Sequence, residues 1–428
     1  MKVLWFSNSP CGSVMRNKTA AVKSGGWLIS LESELKKVDG LQLEVAFFSD
    51  KKESPFSFDG VKYYPICRNV LDASKGINRI RERFLPFSAR DAKALPLMLD
   101  VIKQSKPDLI HIHGTEEAFG LIAEHINDIP IVFSIQGMIA PYKEKYFSGI
   151  SQAYAYKLDS LTDRIKGLGI RTQYNFFCYR AMRERRYLSN ARYIFGRTFW
   201  DEYCTLALNP QRKYYVVNEI LRREFYLKLW KGTLSNEKLQ IISTISGGIY
   251  KGLETVLRTA LQLRQYGKID FEWHIAGYSP KSKWVHICEK MTGIKANDYN
   301  ITFHGRIGAD ELADLLCRSD IYVHVSHIEN SPNSVCEAMM VGMPVIASYA
   351  GGTASLLEHE KEGILCQDGD PYVLAGAIID FKQHPDKALQ YASAARKRAM
   401  SRHDKETIVK ELLDGYAKIL EDYRNASA

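Results

Sequence analysis

A chain of 428 residues that is 46% hydrophobic and 25% charged has an ordinary globular composition and length for two domains, so its core needs no disulfide or metal staple. Its eight cysteines stand singly, with no C-x-x-C or zinc spacing, which reads as free thiols in a reducing compartment. The net charge of +9 is carried almost wholly by the first 200 residues, and no nucleic-acid motif accompanies it.

Lys2 to Ser7 has too short an apolar core for a signal peptide and reads as a first strand. A loop with Asn17, Thr19, Ser24, Gly25 and Gly26 leads to a helix over Trp27 to Lys37. Paired glycines at a helix N-terminus either let backbone amides approach an anion or only make a flexible turn. Leu41 to Phe48 is a strand by alternation, and Tyr63, Tyr64 and Ile66 mark another. Ala94 to Ser105 is a helix ended before Pro107. Leu109 to His113 is a strand whose His111 and His113 share one face. Glu116 and Glu117 follow, but no third metal ligand has clear spacing, and strand-end histidines commonly only hydrogen-bond.

Ile129 to Ile135 is a strand running into Gln136 and Gly137. Residues 152–190 are helical, aromatic and basic. Two basic clusters stand out: Lys75, Arg79, Arg81, Arg83, Arg90 and Lys93, then Arg164, Lys166, Arg171, Arg180, Arg183, Arg185 and Arg186. Interleaved with Phe84, Phe87, Phe176 and Tyr179, they read as solvated helix faces or as an amphipathic surface for an anionic membrane. No run approaches the ~20 apolar residues of a membrane helix. Tyr193 to Phe195 and Tyr214 to Val217 are short strands before a domain boundary at 208–225.

The second half alternates more cleanly. Leu239 to Ile245, Phe271 to Ala276, Ile301 to His304 and Ile321 to Val325 are strands. Lys251-Gly252 opens a helix with Leu253, Val256, Leu257, Ala260 and Leu263 inward, and Asp310 to Cys317 forms another. After Ile321 to Val325 comes a polar loop with Glu329, then a helix over Ser334 to Val341 with Glu337 in its first turn. Gly342 ends it, and Pro344 to Ala347 is the next strand. Asp368-Gly369-Asp370 looks like a metal-binding D-x-D, but Asp370 before Pro371 reads as an N-cap with proline at N1. Helices over 386–400 and 404–423 close the chain. The expected fold is α/β, two Rossmann-like doubly wound domains facing across a cleft.

Glu329 and Glu337 form E-x7-E, followed by EAMMVGMPVIASYAGG. With KVLWFS, Gly25-Gly26, KPDLIHIHG, VVNEI, YKGLETVL, WHIAGY and ITFHGRI in order, almost the whole chain resembles the retaining nucleotide-sugar glycosyltransferases of family 4, which have the GT-B fold. The resemblance implies an acceptor-binding domain over 1–210, a nucleotide-sugar-binding domain over 211–400, and a C-terminal helix over 401–428 crossing back to the first domain. It implies that Glu329 contacts the donor sugar and Lys251 neutralises the donor phosphates. Glu337 would accept from the ribose diol, with backbone amides near Asn333, Ser334 and Val335 on the pyrophosphate. Gly25 and Gly26 are further donor contacts, and His113 is a candidate acceptor contact.

Three positions depart from the family pattern. Ser246-Gly247-Gly248 stands where an arginine is usual, leaving Arg306 or loop amides such as that of Gly248 to meet the phosphates. Gln136 replaces a histidine that contacts the donor sugar; glutamine can hydrogen-bond but carries no proton. Ser355 replaces a glutamate, and serine can cap a helix as well.

The implied reaction retains anomeric configuration and uses no metal and no cofactor beyond the nucleotide-diphosphate sugar. The implied acceptor is a glycan or lipid-linked glycan of cell-surface polysaccharide or lipopolysaccharide, and the expected location is cytoplasmic, peripheral on a membrane's inner face. Alternatives on the same architecture are a nucleotide-sugar 2-epimerase, a phosphorylase carrying pyridoxal phosphate, and a non-catalytic nucleotide-sugar-binding protein. A dinucleotide-dependent enzyme is disfavoured, because no G-x-G-x-x-G follows the first strand.

Overall fold

Short runs of apolar, largely β-branched and aromatic residues are buried along most of their length, the pattern of parallel strands covered on both faces. In the computed structural model they form two sheets. The first holds β1 (Lys2–Ser7), β2 (Gln42–Ser49), β3 (Phe56–Phe58), β4 (Val61–Cys67), β5 (Leu109–His113), β6 (Ile131–Ser134), β7 (Tyr193–Gly196) and β8 (Lys213–Val216). The second holds β9 (Leu239–Thr244), β10 (Phe271–Ala276), β11 (Ile301–Gly305), β12 (Ile321–His324), β13 (Val345–Tyr349) and β14 (Ile364–Gln367). The structure describes residues 1–16, 26–71, 76–232, 234 and 237–427. Asn17, Thr19, Ser24, Gly25, Lys75 and the side chain of Arg79 lie outside the described residues.

The chain divides into two compact units. One comprises Met1–Lys143, Asp159–Ile220 and Asp404–Ala428, the other Glu144–Leu158 and Leu221–His403. In the first, the strand order is β3-β4-β2-β1-β5-β6-β7-β8, all parallel except the β3–β4 pair. Alternation along β1 sends Val3 and Trp5 to one core and Leu4 and Phe6 to the other. The Val3 side is covered by the helix Lys405–Ser427, whose Ile408, Leu412, Tyr416 and Ile419 form a fully buried stripe at helical spacing. Tyr416 Oη accepts from Trp5 Nε1 at 3.2 Å and lies 2.6 Å from His111 Nδ1. The C-terminal helix is therefore part of the first unit.

Much of the basic charge of the first unit is bonded rather than open. Arg183 Nη1 donates to both Asp91 oxygens at 2.9 Å, and Arg183 Nη2 and Arg180 Nε both donate to the Glu116 carbonyl. Arg90 pairs with Glu82, and Arg186 with Glu124. Arg83 Nη1 donates to the Lys166 carbonyl at 3.1 Å, which joins the two clusters. Arg81, Arg164, Lys166 and Arg171 stay exposed, as do the neighbouring apolar Ile77, Phe84, Leu161 and Ile165.

In the second unit the order is β11-β10-β9-β12-β13-β14, every pair parallel. Connections run outward from β9 on one side and from β12 on the other, so β9 and β12 flank the topological switch point. Loops leaving their carboxyl ends there diverge and make room for a ligand. Residues 144–158, expected within the first domain, cluster with this unit instead. Tyr146 lies against Tyr250, Lys145 is 3.9 Å from Asp368, and Tyr154 Oη donates to the Lys290 carbonyl. No local period announces such contacts, because they are made to residues about a hundred or more positions away.

Several helices carried no clear sequence signal. Ala118–Glu124 is a 3₁₀ turn. Ile139–Glu144 takes its cap from elsewhere: the Glu184 carboxylate accepts from the amides of Ile139 (3.1 Å) and Ala140 (2.6 Å) and from the Thr115 hydroxyl. Phe199–Leu208 begins with a capping box between Thr198 and Asp201. The helix expected from Ala94 begins at Phe87 and contains Pro96.

Candidate active site

The loop after β9 crosses Gly247, with φ +96°, and Gly248 before a 3₁₀ turn at Ile249–Lys251. Tyr278 Oη donates to the carbonyls of Gly247 (3.2 Å) and Gly248 (3.1 Å) and pins this loop. Gly252 then takes φ +78°, and a Cβ there would lie 2.0 Å from the Val325 carbonyl oxygen. Glycine is thus required, and the helix Leu253–Gln265 starts hard against the end of β12. This approach brings Lys251 to the loop after β12.

Lys251 Nζ pairs with Glu329 Oε1, which also accepts from Ser326 Oγ at 3.1 Å. The two side chains are 22% and 14% exposed, so the pair remains reachable. Burial works against the ammonium charge, but Glu329 outweighs it and holds Lys251 above the usual lysine range. The Glu329 backbone is clamped from behind: its carbonyl accepts from Gly352 N at 2.9 Å, and a Cβ on Gly351 would lie 2.0 Å from that oxygen. Glu329 of the E-x7-E spacing and Lys251, expected from the resemblance, are therefore brought together inside one unit, at its switch point.

Glu337 sits in the helix Asn333–Val341, 3% exposed. Its two oxygens accept from Arg222 Nε and Nη2, each at 2.8 Å. Burial pushes the Glu337 carboxyl up, and the guanidinium pulls against it. Arg222 escaped the sequence reading. It stands 115 positions away, and only its place in the run LRREF after VVNEI could have marked it. A two-point fork of this kind fixes the orientation of the carboxylate while each oxygen keeps a second lone pair. At the mouth of the same helix, the Val335 and Cys336 amides turn back to the Pro332 carbonyl, leaving those of Asn333 and Ser334 at the N-terminus.

Other expected site residues stand on other elements. Arg306 follows β11, the edge strand two places from β9, and is exposed. Asp370 caps Pro371–Gln383, its carboxylate accepting from Tyr372 N and Val373 N at 2.9 and 3.1 Å. In the first unit, Gly26 opens the helix Gly26–Leu35, and Gln136 follows β6, half-buried. His113 is 1% exposed, its ring 4.3 Å from that of Trp5 and 5.9 Å from that of Trp27, and burial keeps it neutral. His111 has Tyr416 Oη on one nitrogen and Ser134 Oγ on the other, each at 2.6 Å, and burial lowers its pKa to about 3.

Two parallel-sheet Rossmann-like units define the GT-B fold of glycosyltransferases. Solved structures of that fold cover nearly the whole chain. Sucrose-phosphate synthase from Thermosynechococcus elongatus matches with TM-score 0.69 and 17% identity, over 99% of this chain and 100% of the other. HepE of Anabaena, crystallised with UDP-glucose, matches with TM-score 0.65 and 18% identity, over 98% and 100%. At these identities the likeness is one of fold. Residues 228–398, which hold Lys251, Glu329 and Glu337, match the family model of glycosyl transferases group 1. The amylovoran biosynthesis glycosyltransferase AmsK of Erwinia amylovora is 26% identical over 195 residues, 44% of this chain and 45% of AmsK. The putative colanic acid biosynthesis glycosyltransferase WcaL of Escherichia coli K12 is 25% identical over 181 residues, 41% and 44% of the two chains. Each match spans less than half the length of the curated relative. The matched stretch is of the group 1 glycosyltransferase type. Among the described residues, no helix is long and apolar enough to cross a membrane.

Proposed function

We propose that the protein is a retaining glycosyltransferase of the family 4 kind, which moves a sugar from a nucleotide-diphosphate sugar to a hydroxyl of a glycan or lipid-linked glycan. The Lys251–Glu329 pair at the switch point, with Glu337 one helix away, carries this reading. A donor pyrophosphate would take the Lys251 ammonium and the Asn333 and Ser334 amides, while Glu329, released from the lysine, turns to the sugar hydroxyls. Glu337, oriented by Arg222, would accept from the ribose diol through its free lone pairs.

In the reaction, the C1–O bond to the diphosphate breaks and a C1–O bond to the acceptor forms on the same face. The acceptor hydroxyl's proton passes to the departing phosphate oxygen, so the products are the glycoside and the nucleoside diphosphate. The lysine and amides stabilise the charge on the leaving group, which is the protein's main contribution, and neither a metal nor a further cofactor enters.

The matches to amylovoran and colanic acid enzymes favour an acceptor in cell-surface polysaccharide synthesis. The exposed Ile77, Phe84, Leu161 and Ile165, set among Arg81, Arg164 and Lys166, suit the anionic inner face of a membrane, with the protein cytoplasmic and peripheral. The deciding experiment is a thermal-shift and nucleotide-release panel with uridine-, guanosine- and adenosine-diphosphate sugars. One donor should stabilise the protein and release its diphosphate when acceptor is added. Conversion of donor to an epimer without acceptor would replace this reading with an epimerase, and binding without release would leave a non-catalytic binder.

A further inference from the structure

His327 stands two residues before Glu329, 3% exposed, and none of the chemistry above uses it. Its Nε2 lies 2.5 Å from Glu254 Oε1 and its Nδ1 lies 3.2 Å from Asp368 Oδ2. Glu254 is fully buried in the first turn of Leu253–Gln265, three residues past Lys251, and Asp368 is in the turn before Pro371–Gln383. Backbone also comes close to the ring at Gly149 and Gly369. A Cβ on Gly149 would lie 2.8 Å from Nε2 and one on Gly369 3.1 Å from Cε1, and both glycines have positive φ. The His327 amide donates to the Tyr250 carbonyl at 2.9 Å.

A neutral imidazole has one N–H and one bare lone pair, and an ionised carboxylate only accepts. With a carboxylate against each nitrogen, only the imidazolium satisfies both contacts. We propose that His327 is a positioning residue: its doubly bonded imidazolium ties the Glu329 loop to the helix start that carries Lys251 and to the turn holding Asp368. This rests on the glycosyltransferase reading of the Lys251–Glu329 pair. The charged groups facing the ring are Glu254 and Asp368. Beyond them, Lys145 is 3.9 Å from Asp368, and on its own loop Glu329 is held by Lys251.

Burial alone would lower the pKa of this imidazole, but Glu254 and Asp368 outweigh it and hold the group above the ordinary histidine range. A raised folded pKa means that the tie is complete below the unfolded value of about 6.5 and is lost as pH rises through the higher folded value. Activity should therefore carry an alkaline limb set by His327.

Two measurements on the full chain test this. In ¹⁵N-histidine NMR, with the signal assigned by its loss in His327→Gln, both ring nitrogens should stay protonated as pH rises past about 6.5, the ordinary histidine value; a titration at or below that value overturns the proposal. In donor turnover, Asp368→Asn, on a partly exposed turn where the fold survives, should move the alkaline limb down by about one pH unit. His327→Gln should lower kcat about tenfold with little change in KM for the donor. A wild-type pH profile in Asp368→Asn would also overturn it. If the wild-type chain turns over no donor at all, the glycosyltransferase reading fails, and the NMR result still decides the charge state.

Discussion

The two units repeat one topology and treat its switch point in opposite ways. In the second unit the loops after β9 and β12 deliver Lys251 and Glu329 to each other with both side chains partly exposed. In the first unit β1 and β5 flank the corresponding position, and the histidines that end β5 are 1% exposed. His111 is saturated by Tyr416 and Ser134, and His113 is packed among rings. Polar residues at strand ends of like topology thus become a partly exposed ion pair or a buried structural joint according to what packs on them. Burial decides: His111 spends both nitrogens on bonds inside the protein, while His113 is desolvated with neither ring nitrogen hydrogen-bonded. Glu184 shows the same rule, since its carboxylate is used up in capping Ile139–Glu144.

That contrast can be broken most directly at the exposed pair. Lys251→Ala and Glu329→Gln should each lower donor turnover more than ~100-fold, with thermal unfolding close to wild type. Near-normal nucleotide release in both variants would erase the distinction between the units.

Arg222→Ala should be costlier to the fold, because it strands the buried Glu337 carboxylate: about 3 kcal/mol by urea unfolding, with weaker donor binding. Restoring much of the stability by adding Glu337→Gln would show that the uncompensated charge, not lost packing, was responsible.

The first unit should answer through pH. Burial raises the Glu184 pKa to about 7, from an ordinary glutamate value of 4.5. A raised value means that its contribution is fully present below about 4.5 and lost as pH rises through about 7, a span of about 3 kcal/mol. Glu184→Gln should flatten that part of the stability-versus-pH curve, measured by denaturant unfolding between pH 4.5 and 8. An unchanged slope would assign the titration elsewhere. The smallest effect is expected from Tyr416→Phe, which deletes the hydroxyl between Trp5 and His111 and should cost about 1 kcal/mol without changing turnover.

By itself the sequence determined the alternation of strands and helices, because periodicity and glycine or proline punctuation are local. β5 and β10 begin and end where the pattern says, and Asp370-Pro371 caps its helix as residue type dictates. It also marked Glu329 and Glu337 at a strand-to-helix switch point and, through the family resemblance, Lys251 as their companion, while the pairing of β9 with β12 that joins them came from the structure. Only the tertiary structure decided what holds them. Arg222 on Glu337, the carboxylates on His327, Glu184 under Ile139–Glu144 and the grouping of 144–158 with the second unit all join residues tens to hundreds of positions apart. No local pattern records them, because a side chain's partner is chosen by the packing of whole elements and by the need to satisfy each buried polar group.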